Sequence, residues 1–337
     1  MQALLNLAID RTHLFLSLDN QSHATLPSGS ATPIYSEDFF VFLNTLADDN
    51  QIEIPNTNAL GFLLRKLDAQ AHASGRVQTV PLRTFQPDPQ TLLLDLHDNF
   101  DVVELTRKSW KLTSNLDTQF LRPSGNLPLP TPEHSPHDLA TYLSEMFQIE
   151  NAAAQQIAEW LAVALLPEAH PPVLVITGEA RNEAAAKIRK IIDPVPQPLF
   201  PMPHNANQLG QLALTNRVLA FALYSNLTKC KQSALRSLST GMTVKLKEVN
   251  KRHAARFTKV TRPIIIASEE KVEVCRHQIT IEINHAGCGD HPQILGALLT
   301  LAAQLLHRAH QQAIETIWQT SKPATTLGTI QSDPPVP

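Results

Sequence analysis

Cysteine is scarce in this chain, with three residues among 337 (Cys230, Cys275 and Cys288). They form no CxxC pair and no even-numbered framework, which excludes a disulfide scaffold and points to reduced thiols in the cytoplasm. Glycine is scarce too: 11 residues against 25 prolines, so turns must lean on Pro, Asn and Asp. A basic leader is missing, because Met1 to Asn20 carries Asp10 among its apolar residues, and no signal peptide is expected. Long apolar runs are missing as well. The stretch Ile294–Leu306 is too short for a bilayer and repeats at helical spacing, so no membrane partner is expected. What remains is the ordinary balance of a soluble protein, 43% hydrophobic and 18% charged, long enough for two or three domains. The net charge of −3 averages over local patches and excludes little.

Residues 14–18 and 24–26 read as short strands joined at Asp19-Asn20-Gln21. Apolar positions at helical spacing predict amphipathic helices over 37–46 and 58–73, the second capped from Asn56, Thr57 or Asn58. Strands over 92–96 and 102–105 follow. Residues 120–137 are proline-rich and read as a linker, and 135–164 as one helix with Ser135 as its cap. Val173–Ile176, Val218–Phe221 and Pro263–Ala267 are continuous apolar runs, the pattern of strands covered on both faces. Helices over 183–192 and 229–238 alternate with them, and 195–207 reads as a proline-rich loop. An alternating run over 279–283 and a long helix over 292–318 complete the chain, which argues for a mainly parallel α/β sheet.

The order of short motifs carries a resemblance. Pro172–Thr177 leads into Gly178-Glu179-Ala180-Arg181-Asn182-Glu183-Ala184-Ala185-Ala186. Downstream come Ile192-Asp193-Pro194, Val218-Leu219-Ala220-Phe221, Ser239-Thr240-Gly241 and Arg262-Pro263-Ile264-Ile265. Upstream stand Leu94-Asp95-Leu96, Val103-Glu104-Leu105 and Phe120–Pro130. The set resembles the phage- and plasmid-associated primase-helicase-like P-loop ATPases, of the poxvirus-type superfamily 3 helicase/AAA+ group. The resemblance spans about residues 12 to 285. It implies an α/β fold, an AAA+-like P-loop three-layer sheet preceded by a smaller α/β region. The expected domains are an N-terminal α/β domain over 1–125, a proline-rich linker and helix start over 126–150, and a degenerate P-loop domain over 151–290. A C-terminal helix over 291–320 and a disordered tail over 321–337 follow.

A P-loop holds nucleotide through backbone N–H groups, a lysine on the β/γ-phosphates and a hydroxyl on Mg²⁺. On the resemblance, the lysine position falls on Ala184, the hydroxyls on Ala185 and Ala186, and the close-approach glycine on Arg181. Glu183 adds negative charge beside them. Gly178 and Glu179 are kept. The Walker B acid falls on Ala222 and the sensor asparagine on Ala267, while Arg276 matches a candidate arginine finger. The expectation is therefore a protein that is not an enzyme, an inactive ATPase homologue with no cofactor, neither ATP nor Mg²⁺. It would act as an interaction or DNA-binding protein in mobile-element replication, with DNA or a replication protein as partner and a homo-oligomer as the form its relatives suggest. The alternatives are an active ATPase using displaced residues such as Lys187 or Arg181, and a decaying copy without function.

Between Lys229 and Arg262 stand ten basic residues and one acid, Glu248. Lys245, Lys247, Lys251, Arg252, Arg256, Lys259 and Arg262 are the candidates for phosphate-backbone binding, against the alternative of a solvated basic face. His285, Cys288 and His291 have a loosely metal-like spacing but lack a fourth ligand, so a plain loop and no metal are expected. Asp48-Asp49 lies in a turn-like region and reads as a cap rather than a catalytic pair, and Trp110 and Trp160 fit core roles better than cofactor stacking.

Overall fold

The computed structural model describes residues 1–54, 56–97, 101–114, 118–167, 169–224, 226–246, 257–275 and 278–320. The chain opens with helix α1 (Gln2–Arg11), whose Leu4 and Ala8 are fully buried. Strands β1 (His13–Ser17), β2 (Ser22–Thr25) and β3 (Ala31–Pro33) form an antiparallel meander, turned at Asn20 in the left-handed region (φ 60°). Helix α2 (Glu37–Asp49) starts where Ser36 Oγ accepts the Phe39 N–H. Helix α3 (Thr57–Ser74) starts where Asn56 Oδ1 accepts the Ala59 N–H, and ends at left-handed Gly75. Strand β4 (Val77–Gln78) then pairs parallel to β1, giving the order β3-β2-β1-β4. Leu4, Phe39, Leu43, Leu63 and Leu67 form the core of this unit.

A second antiparallel sheet follows, β5 (Thr84–Asp88), β6 (Thr91–Asp95), β7 (Val102–Thr106) and β8 (Trp110–Thr113), in chain order. The proline-rich stretch after it is no free tether. Phe120 and Leu129 are buried, and the N–H groups of Leu121, Leu127, Leu129 and Glu133 donate to Pro81, Pro194, Leu96 and Pro292. It is a strap pinned to four separate parts of the molecule.

The helix expected over 135–164 is two helices, α4 (Leu139–Phe147) and α5 (Asn151–Leu165). The break falls at Gln148, whose positive φ (51°) ends α4, and the cap of α4 is Asp138 rather than Ser135. Strand β9 (Val173–Thr177) leads into α6 (Arg181–Ile192). The loop expected over 195–207 contains strand β10 (Phe200–Pro201) and the start of α7 (Ala206–Thr215). Then come β11 (Leu219–Leu223), α8 (Lys229–Thr240), the hairpin strands β12 (Met242–Lys245) and β13 (Phe257–Val260), β14 (Ile264–Ser268), β15 (Gln278–Glu282) and α9 (His291–Thr320). The tail 321–337 lies outside the described residues.

Strands β10, β11, β14, β9 and β15 form, in that order, an all-parallel sheet, and the chain is a mixed α/β protein. Both faces are covered, which is why β9, β11 and β14 are apolar at nearly every position. One face packs Leu174, Ile176, Ala220 and Ile265 against α4, α5, α6 and α9, and against Leu92, Leu94 and Val103 of the second sheet. The other packs Val175, Phe221 and Ile266 against α7, α8 and the inner face of the hairpin. Trp160 is buried in the first layer with its indole N–H on Pro172 O (2.7 Å), and each fully buried side chain of this size contributes on the order of 2 kcal/mol. Among the described residues no helix is long and apolar enough to cross a membrane.

Candidate functional site

In open α/β sheets the ligand crevice lies beyond the carboxyl ends of the strands, where the strand order reverses direction. Here that point is β9, set between β14 and β15. The register brings the sequence-derived positions together: Ala222 of β11 is opposite Ala267 of β14, and Ala267 is opposite Ile176 of β9. Ala222 and Ala267, expected from the resemblance at the acid and sensor positions, thus sit in one row, one residue short of the strand ends and beside the turn that leaves β9. Both are methyl groups, at 8% and 1% exposure, so the row is apolar. Ser268 closes it at the end of β14, buried.

The turn itself is closed by the chain that follows β15. Gly178 has φ 98°, and a Cβ there would stand 2.5 Å from Ile283 O and 2.6 Å from Asn284 Oδ1. Glycine is required by both the angle and the contact. The Glu179 N–H donates to Asn284 Oδ1 (3.0 Å), and the Ala180 N–H to Ile283 O (3.1 Å). Arg181 opens α6 and bends back, donating to Gly178 O (3.1 Å) and pairing with Glu269 (2.6 Å) just past β14. Ala184 and Ala185 are fully buried in the core beneath the sheet, and Ala186 is half-buried. Lys187 points away from the turn: its ammonium donates to Ala286 O, Gly287 O and Glu183, each within 2.7 Å. In this conformation both Lys187 and Arg181 are hydrogen-bonded within the protein. Asn284 and Glu269 were not singled out from sequence, because their partners are about 90 to 105 residues away.

Behind the sheet lies a buried charge cluster. Asp193 is fully buried and accepts the N–H groups of Arg217 and Val218 (2.8 and 3.0 Å). Arg83 stands 3.5 Å and Arg189 3.9 Å from its carboxylate. Burial pushes the Arg217 guanidinium down to about 9, helped by neighbouring Arg262, and pushes Arg189 and Arg262 down to about 10 each, with Asp193 opposing all three shifts. Arg262 is therefore corrected as a nucleic-acid candidate. Its guanidinium is turned inward onto Ala213 O and Asn216 O (2.8 and 3.0 Å), and it braces α7.

The hairpin β12–β13 separates its two faces cleanly. Met242, Val244 and Val260 are buried, while Thr243, Lys245, Phe257 and Lys259 are exposed on the other face. Lys245 is opposite Phe257 and Thr243 opposite Lys259. Two ammonium groups thus share an outward surface with an aromatic ring that is 56% exposed. Phe257 is distant from Lys245 in the sequence, and only the strand register sets the two side by side. Lys247, Lys251, Arg252, Arg256 and Arg276 lie outside the described residues. Among the described residues no group of three His, Cys, Asp or Glu side chains is placed to hold a metal ion.

No family model matches the sequence, and no curated protein matches it. Solved structures show a likeness at low identity, among them the following three. The chain is similar to the C-terminal region of NrS-1 in its A-form apo structure, at 13% identity and a TM-score of 0.45, over 95% of this chain and 74% of that one. It is similar to Cch of SCCmec type IV, an active helicase, at 12% identity and 0.39, over 91% of this chain and 61% of that one. It is also similar to a full-length MCM homologue from Methanopyrus kandleri, at 10% identity and 0.35, over 96% and 84%. The expectation that the chain is not an enzyme is corrected by these findings. One of the solved structures with a likeness is described as an active helicase, and nothing in the likeness marks a catalytic set as lost.

Proposed function

We propose that this protein binds nucleic acid through the β12–β13 hairpin and acts in mobile-element DNA replication, on an AAA+-like variant of the P-loop α/β fold. The outward face of Lys245, Phe257 and Lys259 carries the reading. Ammonium groups on a surface strand pair neutralise phosphates whatever the base sequence, and an exposed ring adds a face on which bases stack. The apolar inner face of the same hairpin, packed on α7 and α8, makes it a rigid support. Assembly of several copies around one strand fits the same reading.

In this reading ATP and Mg²⁺ are not held at Gly178–Ala186 in the conformation described. The Glu179 and Ala180 N–H groups are taken by Asn284 and Ile283, and the Arg181 guanidinium by Glu269. Calorimetry with Mg²⁺-ATP tests this directly, and heat of binding that Arg181→Ala abolishes would count against it. The DNA reading is tested by fluorescence anisotropy at low salt with labelled oligonucleotides. Lys245→Ala combined with Lys259→Ala is expected to weaken binding about tenfold or more. Full-strength binding by that folded double variant would remove the hairpin from the function.

A further inference from the structure

A second feature lies beside the hairpin. A cavity of about 910 Å³ opens between α8 and the start of β15, walled by Pro172, Arg236, Ser239, Thr240, Glu273 and Gln278. Its volume falls in the range of small-molecule sites, roughly 300–1,000 Å³. It lies near the basic surface: Thr240 of its wall precedes Gly241, and a Cβ on Gly241 would run into the Lys259 side chain. The Lys259 side chain thus lies against Gly241, the residue that follows Thr240 of the cavity wall.

The polar groups in the wall are not equivalent. Gln278 is fully used: its Oε1 accepts the Val274 and Cys275 N–H groups, and its Nε2 donates to Val272 O. The Ser239 and Thr240 hydroxyls donate back to Arg236 O (2.9 and 3.0 Å), so they meet a ligand as acceptors. Arg236 is exposed and, among the described residues, makes no ion pair. Glu273 is exposed, with its carboxylate an acceptor only. The wall thus offers one free guanidinium at the mouth, several acceptors, and an apolar floor of Pro172 and its neighbours.

We propose that this cavity takes one nucleotide of a single-stranded nucleic acid, with the base inside and its phosphate on Arg236 and Lys259. The proposal rests on the hairpin reading and adds a substrate class to it. A base inside a duplex cannot enter such a cavity without leaving its stack, so single strands are preferred. A wall of acceptors favours a base that carries an exocyclic amino group over thymine, whose edge offers oxygen and only a ring N–H. Glu273 is the residue that reads that amino group.

The full chain is tested by anisotropy with labelled oligodeoxycytidine, oligothymidine and a duplex. Oligodeoxycytidine is expected to bind about tenfold more tightly than oligothymidine, the size of one well-made base contact. Glu273→Gln removes that preference, and Arg236→Ala weakens both single strands about tenfold. Thr240→Trp fills the cavity without changing charge, and is expected to weaken the single strands while leaving duplex binding as in the parent. Thermal melting confirms that each variant is folded. Cytidine 5′-monophosphate in a calorimeter separates this proposal from the hairpin, since a mononucleotide needs no hairpin. Uptake that Thr240→Trp abolishes and Lys245→Ala spares supports the cavity even where the hairpin reading fails. Folded Thr240→Trp and Arg236→Ala proteins that bind every probe like the parent overturn it, as does a parent that takes up no mononucleotide and does not distinguish the two oligomers.

Discussion

Asn284 Oδ1 accepts the backbone N–H of Glu179 across 3.0 Å and so ties the segment after β15 to the turn after β9. The same segment places Ile283 O against Gly178, the one residue type its backbone permits. Gly178→Ala is expected to cost about 1–3 kcal/mol from the positive φ alone, with the overlap on Ile283 adding to it. Asn284→Ala loses two solvent-accessible hydrogen bonds, from the Glu179 N–H and to Glu282 Oε1, and is expected to cost about 1 kcal/mol. Thermal or denaturant unfolding of the two variants gives the order, and an equal effect would show that the turn is not tightly held.

Asp193 is the buried carboxylate among Arg83, Arg189 and Arg217. Asp193→Ala leaves two N–H groups without an acceptor and buried guanidinium groups without their counter-charge. A loss of about 3–5 kcal/mol is expected. A soluble, folded variant of near-parental melting temperature would mean that the arginines are neutralised by other means.

Gly296 of α9 faces the strap, and a Cβ there would overlap the Glu133 carbonyl. Gly296→Ala is expected to displace the strap from α9 and cost about 1–3 kcal/mol as an overpacking change. Proteolysis between residues 120 and 137 should accelerate in the variant. An unchanged cleavage rate would argue that the strap is held by its other three anchors.

His23 is buried, stacked on Phe15 with ring centroids 5.6 Å apart, and its Nδ1 lies 3.0 Å from Gln21 O. Burial lowers its pKa below the ordinary 6.5, against weaker opposing effects of Gln21 and Asp19. The unfolded chain therefore takes up a proton near pH 6.5 that the folded chain refuses. Its contribution to stability is present above 6.5 and declines as pH falls from there towards the folded pKa. Unfolding followed from pH 7.5 downward should show this decline, and His23→Gln should flatten it.

Removing Lys245 and Lys259 together should lower the slope of log binding constant against log salt by about 1.4 on single strands. A slope unchanged by the double substitution would show that neither ammonium meets a phosphate.

Apolar periodicity made α2, α3, α6, α8, α9 and the strands β9, β11 and β14 legible, because continuous β-branched runs and helical stripes are local properties. The order of motifs set Ala222, Ala267 and Gly178 at or just past the ends of three apolar runs, and strand register placed those ends side by side. The break at Gln148 was not, since αL geometry in a non-glycine residue leaves no compositional mark. Helix α1, strand β10 and helix α7 were missed for a related reason. Ala206–Thr215 follows a proline-rich loop, and its N-cap Asn205 is one turn-forming residue among several.

The sequence by itself determined that the residues at the turn are Gly178, Glu179 and Arg181 followed by three alanines, and that the segment after Lys229 is basic. Only the tertiary structure decided what those residues face. It brought Asn284 and Glu269 onto the turn and sent Lys187 to the Ala286 and Gly287 carbonyls. It also turned Arg262 inward while leaving Lys245, Phe257 and Lys259 outward. Composition sets which charges exist. Which of them meets solvent is set by strand register and by the packing of elements far apart in the chain, and neither is a local property of the sequence.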